Sequence, residues 1–173
     1  KSTKQIFSME TGEYITVIRD AIRGMTDADA EIRKSSLNIC QEFQKPNKFN
    51  TLTFLELSKR SSTPEERIFA YTTLTSIIKD NWMKLNQNTK LMIATSFPFS
   101  SNEDINSDPL ISTIARATAS FLAFAGTSEI TTHFFTSFLE SDRKFTICVF
   151  NEFVSFIFQN DFPKNRFDAF KIF

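Results

Sequence analysis

The chain has 173 residues, long enough for one self-supporting domain or for a few units of a repeat array, and 41% of them are apolar against 23% charged, the balance of a folded chain. Only three glycines and five prolines are present, too few for a sheet protein with many hairpins or for a flexible linker, so the favoured class is all-helical. Twenty basic and twenty acidic residues cancel, which removes any overall field towards DNA, RNA or an anionic membrane, although the stretch up to about Ser96 leans basic and the rest acidic.

Taken in chain order, the sequence predicts a first helix from about Gly12 to Arg23, with Ile15, Ile18 and Ile22 on one face and Gly24 as its C-terminal stop. A second starts on the capping sequence Thr26-Asp-Ala-Asp29, carries Ile32, Ser36, Ile39, Cys40 and Phe43, and ends at Pro46. A shorter one follows from about Lys48 to Lys59, with Leu52, Leu55 and Phe49 inward. The fourth has the most complete start signal: Thr63 as cap, Pro64 at the first helical position and Glu66 placed to close a capping box. Its stripe reads Ile68, Tyr71, Leu74 or Thr75, Ile78, Trp82 and Leu85.

Asn86-Gln-Asn-Thr89 interrupts the pattern, and a short helix then carries Leu91, Met92 and Ala94 towards Phe97-Pro98. After a polar loop from Ser100 to Ser107, Asp108 as cap and Pro109 open a helix through about Ala125, lined by Ile111, Ile114, Ala115, Thr118, Phe121, Leu122 and Phe124 and stopped by Gly126. A short helix from about Ser128 to Leu139 presents Ile130, Phe134, Phe135 and Phe138. Ser141-Asp142 starts a long one through about Phe158, Pro163 stops it, and one more helical segment begins as the sequence ends. The apolar Phe170-Lys-Ile-Phe173 at that end reads as a cut rather than a finish.

The restarts at Thr26, Thr63, Asp108 and Ser141 lie about 37, 45 and 33 residues apart, intervals that bracket the period of HEAT and armadillo arrays. The expected architecture is an αα-superhelix of approximate repeats 26–60, 63–97, 108–140 and 141–173, one region of a longer solenoid, in which each helix pair buries a face against its neighbours. A compact helical bundle or a single-domain right-handed superhelix is the alternative.

The residues from Thr26 to Leu85 allow a closer comparison. Asp27-Ala-Asp-Ala-Glu-Ile-Arg33, Leu37, Phe43 and Lys45-Pro46, followed by Pro64-Glu-Glu-Arg67, Phe69-Ala70, Leu74, Ile77-Ile78, Trp82 and Leu85, resemble the N-terminal repeats of the karyopherin-beta (importin-beta and exportin) superfamily. Beyond them the likeness is architectural: Pro109-Leu-Ile to Phe124, Thr132-His-Phe-Phe135 and Phe138-Leu139 are similar to later helices of exportin-type members. Those members often carry tryptophan-proline pairs where this chain has Glu129-Ile130 and Thr131-Thr132.

The resemblance implies a nuclear transport receptor that shuttles between nucleus and cytoplasm, binds the small GTPase Ran in its GTP form, carries protein or RNA cargo and passes nuclear pore proteins. By that resemblance the segments from about Lys48 to Lys59 and from about Gln87 to Ser96 are the Ran-facing elements, with Glu56, Lys59, Arg60 and Lys90 as candidate contacts. The alternative is a non-catalytic helical adaptor, VHS-like or another HEAT scaffold, whose long helix would carry the same packing residues. A remoter rival is a helical enzyme with a polar pocket built on His133, Cys148 and carboxylates.

Chemistry has few footholds in the sequence. His133 is the lone histidine, which leaves no ordinary zinc ligand set and one residue to support any Ser-His-Asp arrangement. Gly12, Gly24 and Gly126 are isolated, so no glycine-rich phosphate loop exists. Glu65-Glu66 and Glu103-Asp104 read as helix-start and loop charges. No catalytic residue, cofactor or metal is expected. Cys40 and Cys148, far apart among apolar residues, read as reduced core thiols. The apolar run Phe145 to Phe158 is too short and too polar at Asn151-Glu152 to cross a bilayer. The 21 phenylalanines, concentrated after Ala119, read as filling between helices, with a sticky groove for partner helices as the functional alternative.

Overall fold

In the computed structural model of the chain, residues 11–45, 50–59, 61–96 and 108–158 are described; among them are eight α-helices and no strand. The chain divides into two compact units, and the division falls inside the fourth helix, between Thr73 and Leu74. None of the described helices is long and apolar enough to cross a membrane.

In the first unit, α1 (Thr11–Gly24) buries Ile18, Ala21 and Ile22 and leaves Ile15 half-buried. The turn after it is made by side chains. Thr26 Oγ1 donates to the Arg23 carbonyl at 3.0 Å, and the Asp27 carboxylate accepts from Asp29 N at 2.9 Å. The guanidinium of Arg33 donates to the Asp27 and Ala28 carbonyls, both at 2.7 Å. With Thr26 thus employed on the preceding helix end, Asp29 becomes the cap of α2 (Ala30–Phe43), accepting from Glu31 N at 2.8 Å. The start of this helix is therefore three residues later than the sequence predicts. Its buried residues are Ser36, Cys40 and Phe43, whereas the predicted core residue Ile32 is 45% exposed. Phe43 meets Tyr14 of α1 edge to face, ring centroids 5.4 Å apart. The predicted stop Pro46 lies outside the described residues.

Helix α3 (Thr51–Leu57) is shorter than predicted because Asn50 caps it, its side chain accepting from Thr53 N at 3.1 Å. It also turns a different face inward: Thr53, Phe54 and Leu57 are buried and Leu52 is 54% exposed. Leu55 is half-buried, and the third predicted residue, Phe49, lies outside the described residues.

Helix α4 (Pro64–Asn81) begins as the sequence predicts, with Thr63 Oγ1 accepting from Glu66 N at 3.3 Å. The Glu66 carboxylate instead meets Arg19 Nε of α1 at 3.3 Å. In the first unit α4 contributes Phe69, Ala70 and Tyr71 to the core. Phe69 lies 5.8 Å from Phe54, and the Tyr71 hydroxyl donates to the Ser58 carbonyl at 3.3 Å. The inward surface is wider than the predicted stripe: Ile68 is only half-buried, while Arg67, Phe69, Ala70, Thr73 and Ile77, absent from it, are buried.

The ion pair between α1 and α4 is unequal, because the Glu66 side chain is 5% exposed and that of Arg19 36%. Removing Glu66 leaves a guanidinium that water can reach, but removing Arg19 leaves a buried carboxylate without its cation. Arg19→Met should therefore destabilise the fold by about 1–2 kcal/mol, and Glu66→Gln by roughly half as much. Urea unfolding of the two variants checks the order; equal losses would show that burial of the carboxylate is not what sets the cost.

In the second unit the chain leaves α4 through a single 3₁₀ turn, Trp82–Lys84, so Trp82 and Leu85 do not continue the α4 stripe. Asn86 then caps α5 (Gln87–Ser96), accepting from Thr89 N at 2.8 Å. Its buried residue is Ile93, while Leu91, predicted to face inward, is 60% exposed.

Helix α6 (Asp108–Ser120) buries Leu110, Ile114, Ala115, Ala117 and Ala119 and packs chiefly on α8. Three buried alanines remove the bulk that would keep helix backbones apart. The helix widens into a π turn at Phe121–Ala125, closed by Gly126 N donating to the Phe121 carbonyl at 2.7 Å, five residues back. Helix α7 (Ser128–Ser141) is capped by Thr127, whose hydroxyl accepts from Ile130 N at 3.3 Å. It buries Thr131 and Phe134 and leaves Ile130 44% exposed; the side chain of Phe138 lies outside the described residues.

Helix α8 (Arg143–Ile157) starts as predicted, its cap Asp142 accepting from Phe145 N at 3.1 Å. It presents Phe145, Thr146, Val149, Phe153 and Phe156 inward. Phe135 links α7 to α8 by lying 5.6 Å from both Phe150 and Phe153, and Phe124 stands edge to face with Phe156 at 5.7 Å. The predicted stop Pro163 and the helical segment after it lie outside the described residues.

Candidate partner-binding surface

The candidate contacts divide between the two units and are considered separately. In the first, α3 is held by the Asn50 cap at its start and by Ser58 at its end, whose hydroxyl donates to the Leu55 carbonyl at 2.8 Å. Its polar edge carries Glu56 and, one turn on, Lys59, and the two form an ion pair. Their spacing of three residues on a helical path brings the charges together, and both groups reach water, so the pair contributes little to stability. To a partner this edge presents a locally neutral dipole rather than an isolated cation. Arg60 lies outside the described residues.

In the second unit Lys90 is half-buried on the first turn of α5, and its ammonium stands over the Trp82 ring, 5.9 Å from the centroid. Trp82 in turn meets Phe121 edge to face at 5.9 Å. A tryptophan face attracts a cation through its quadrupole, so the indole favours this placement of the Lys90 ammonium. Lys84 and Met83 of the same turn are exposed, Met83 to 83%. Spacing in the sequence does not reveal the Lys90–Trp82 contact, because it depends on the 3₁₀ turn that ends α4 early.

His133 is exposed on α7, with its Nδ1 3.3 Å from Ser137 Oγ one turn along the same helix. Glu65 is exposed at the start of α4, Glu66 is engaged with Arg19, and Glu103-Asp104 lie outside the described residues. Among the described residues no group of three or more histidine, cysteine, aspartate or glutamate side chains is arranged to hold a metal ion.

Cys40 and Cys148 are both free thiols, the first buried and the second half-buried. Burial pushes the Cys40 thiol up from 9.0 to about 11, because the thiolate would lose its hydration. A raised thiol favours the folded state fully below the unfolded value, and that contribution disappears as pH rises from about 9 to about 11. Cys40 should consequently resist iodoacetamide at about pH 8 in the folded protein and react at the ordinary rate once urea unfolds it. Mass spectrometry of the alkylated peptides checks this, and rapid native labelling at Cys40 would contradict its burial.

No protein-family model, curated protein or solved structure matches this chain.

Proposed function

We propose that this chain is the N-terminal helical-repeat region of a karyopherin-beta-type nuclear transport receptor, binding GTP-loaded Ran and a protein or RNA cargo without catalysing a reaction. The observation that carries the reading is the behaviour of the residues on which the resemblance rests. Phe43, Arg67, Phe69, Ala70, Leu74, Ile77 and Ile78 are buried, Trp82 is half-buried and edge to face with Phe121, and Leu37, another of the spaced apolar landmarks, is exposed, at 47%. A scaffold of paired helices uses such positions for packing, and a family that keeps the scaffold would keep them. In this reading the helices belong to a repeat superhelix, and the protein shuttles between nucleus and cytoplasm past pore proteins.

Function then follows from linkage. If Ran and cargo favour different curvatures of one superhelix, each changes the affinity of the other by the same factor. The α3 edge with Glu56 and Lys59 and the Lys90–Trp82 corner of α5 are the Ran-facing candidates, each in its own unit.

The test is capture of the intact protein on Ran loaded with GTP and, separately, with GDP. Preferential capture by the GTP form is the expected result, and equal or absent capture would overturn the assignment. Lys90→Glu should weaken the GTP-form interaction by about three- to tenfold, equivalent to roughly 0.7–1.4 kcal/mol, while thermal unfolding stays close to that of the parent.

A second reading is favoured by the same burial: the landmark residues serve packing, and a non-catalytic helical adaptor for protein–protein interaction would need them equally. It predicts capture by neither nucleotide form of Ran.

A further inference from the structure

We draw no further inference here: the strongest candidate, the exposed apolar patch of Ile147 on α8 and Phe158 at its C-terminal end, is an unpartnered apolar face, and nothing in the structure shows what covers it.

Discussion

Phe156→Ala should cost the fold about 3–5 kcal/mol, the largest loss expected from any single substitution considered, whereas Phe158→Ala, two residues later, should change stability by less than about 0.5 kcal/mol. Phe156 is 2% exposed at the C-terminal end of α8, where its ring meets Phe124 edge to face at 5.7 Å and lies 5.9 Å from the Arg116 guanidinium. Truncation removes the apolar area of a whole ring, the aromatic pairing and the cation–π contact together, and leaves a cavity that neighbouring helix backbones cannot collapse to fill. Arg116 also reaches Glu152 at 3.8 Å, so it retains one partner after the ring is gone. Phe158, at 79% exposed, has little burial to lose. Urea denaturation read by helical circular dichroism measures both. Equal effects would mean that the phenylalanine-rich half owes its stability to something other than the packing of particular rings.

That contrast also shows what the phenylalanine content says and omits. Core filling is an accurate description of Phe121, Phe124, Phe134, Phe145, Phe153 and Phe156, all buried, but not of Phe150 or Phe158. Helix starts were the most legible feature, because a cap is a local device: Thr63 and Asp142 accept the backbone N–H three residues on, as their spacing predicts. The late starts of α2 and α3 are equally local: a threonine between two helices can serve either the preceding end or the following start, as Thr26 does, and Asn50 caps α3 two residues after the predicted start at Lys48.

Inward faces were less legible on the short helices. Thr51–Leu57 is two turns of residues that are largely apolar or small, so Leu52 with Leu55 and Phe54 with Leu57 both make an acceptable stripe; the structure takes the latter. In α5 the adjacent Leu91, Met92 and Ile93 offer the same freedom, and Ile93 is the one buried. Periodicity selects a face only when polar residues exclude the others. The candidate surface was legible in part. The Glu56–Lys59 pairing follows from i,i+3 spacing, but the seating of Lys90 on Trp82 requires knowing where α4 stops.

The three glycines should give three different outcomes on replacement by alanine, although the sequence presents two of them alike, as helix stops. A glycine stop ordinarily works through a left-handed backbone, yet no glycine among the described residues has positive φ, so another property must hold Gly24 and Gly126 in place. That property is space. A Cβ on Gly126 would lie 2.9 Å from the Leu122 carbonyl oxygen and 3.2 Å from Leu122 Cα, both backbone atoms of the π turn that cannot rotate away. Gly126→Ala should therefore destabilise by about 2–3 kcal/mol, and no side-chain truncation should restore the loss. A Cβ on Gly24 would come within 2.2 Å of Ser36 Oγ of α2, but the obstacle is a side chain. Gly24→Ala should cost about 1–2 kcal/mol alone and recover a substantial part of it in combination with Ser36→Ala, because the 3.2 Å approach to Ser36 Cβ and an ordinary 3.5 Å contact with Ile32 Cγ2 then remain. Gly12→Ala, with nothing within 4 Å of the added methyl, should be neutral or stabilise the first turn of α1 by a few tenths of a kcal/mol. Thermal and urea unfolding of the four variants, with the double mutant as the deciding member, measures whether close helix approach fixes these positions. A Gly24→Ala variant that loses stability yet is not rescued by Ser36→Ala would instead place the constraint in the backbone of the α1–α2 turn.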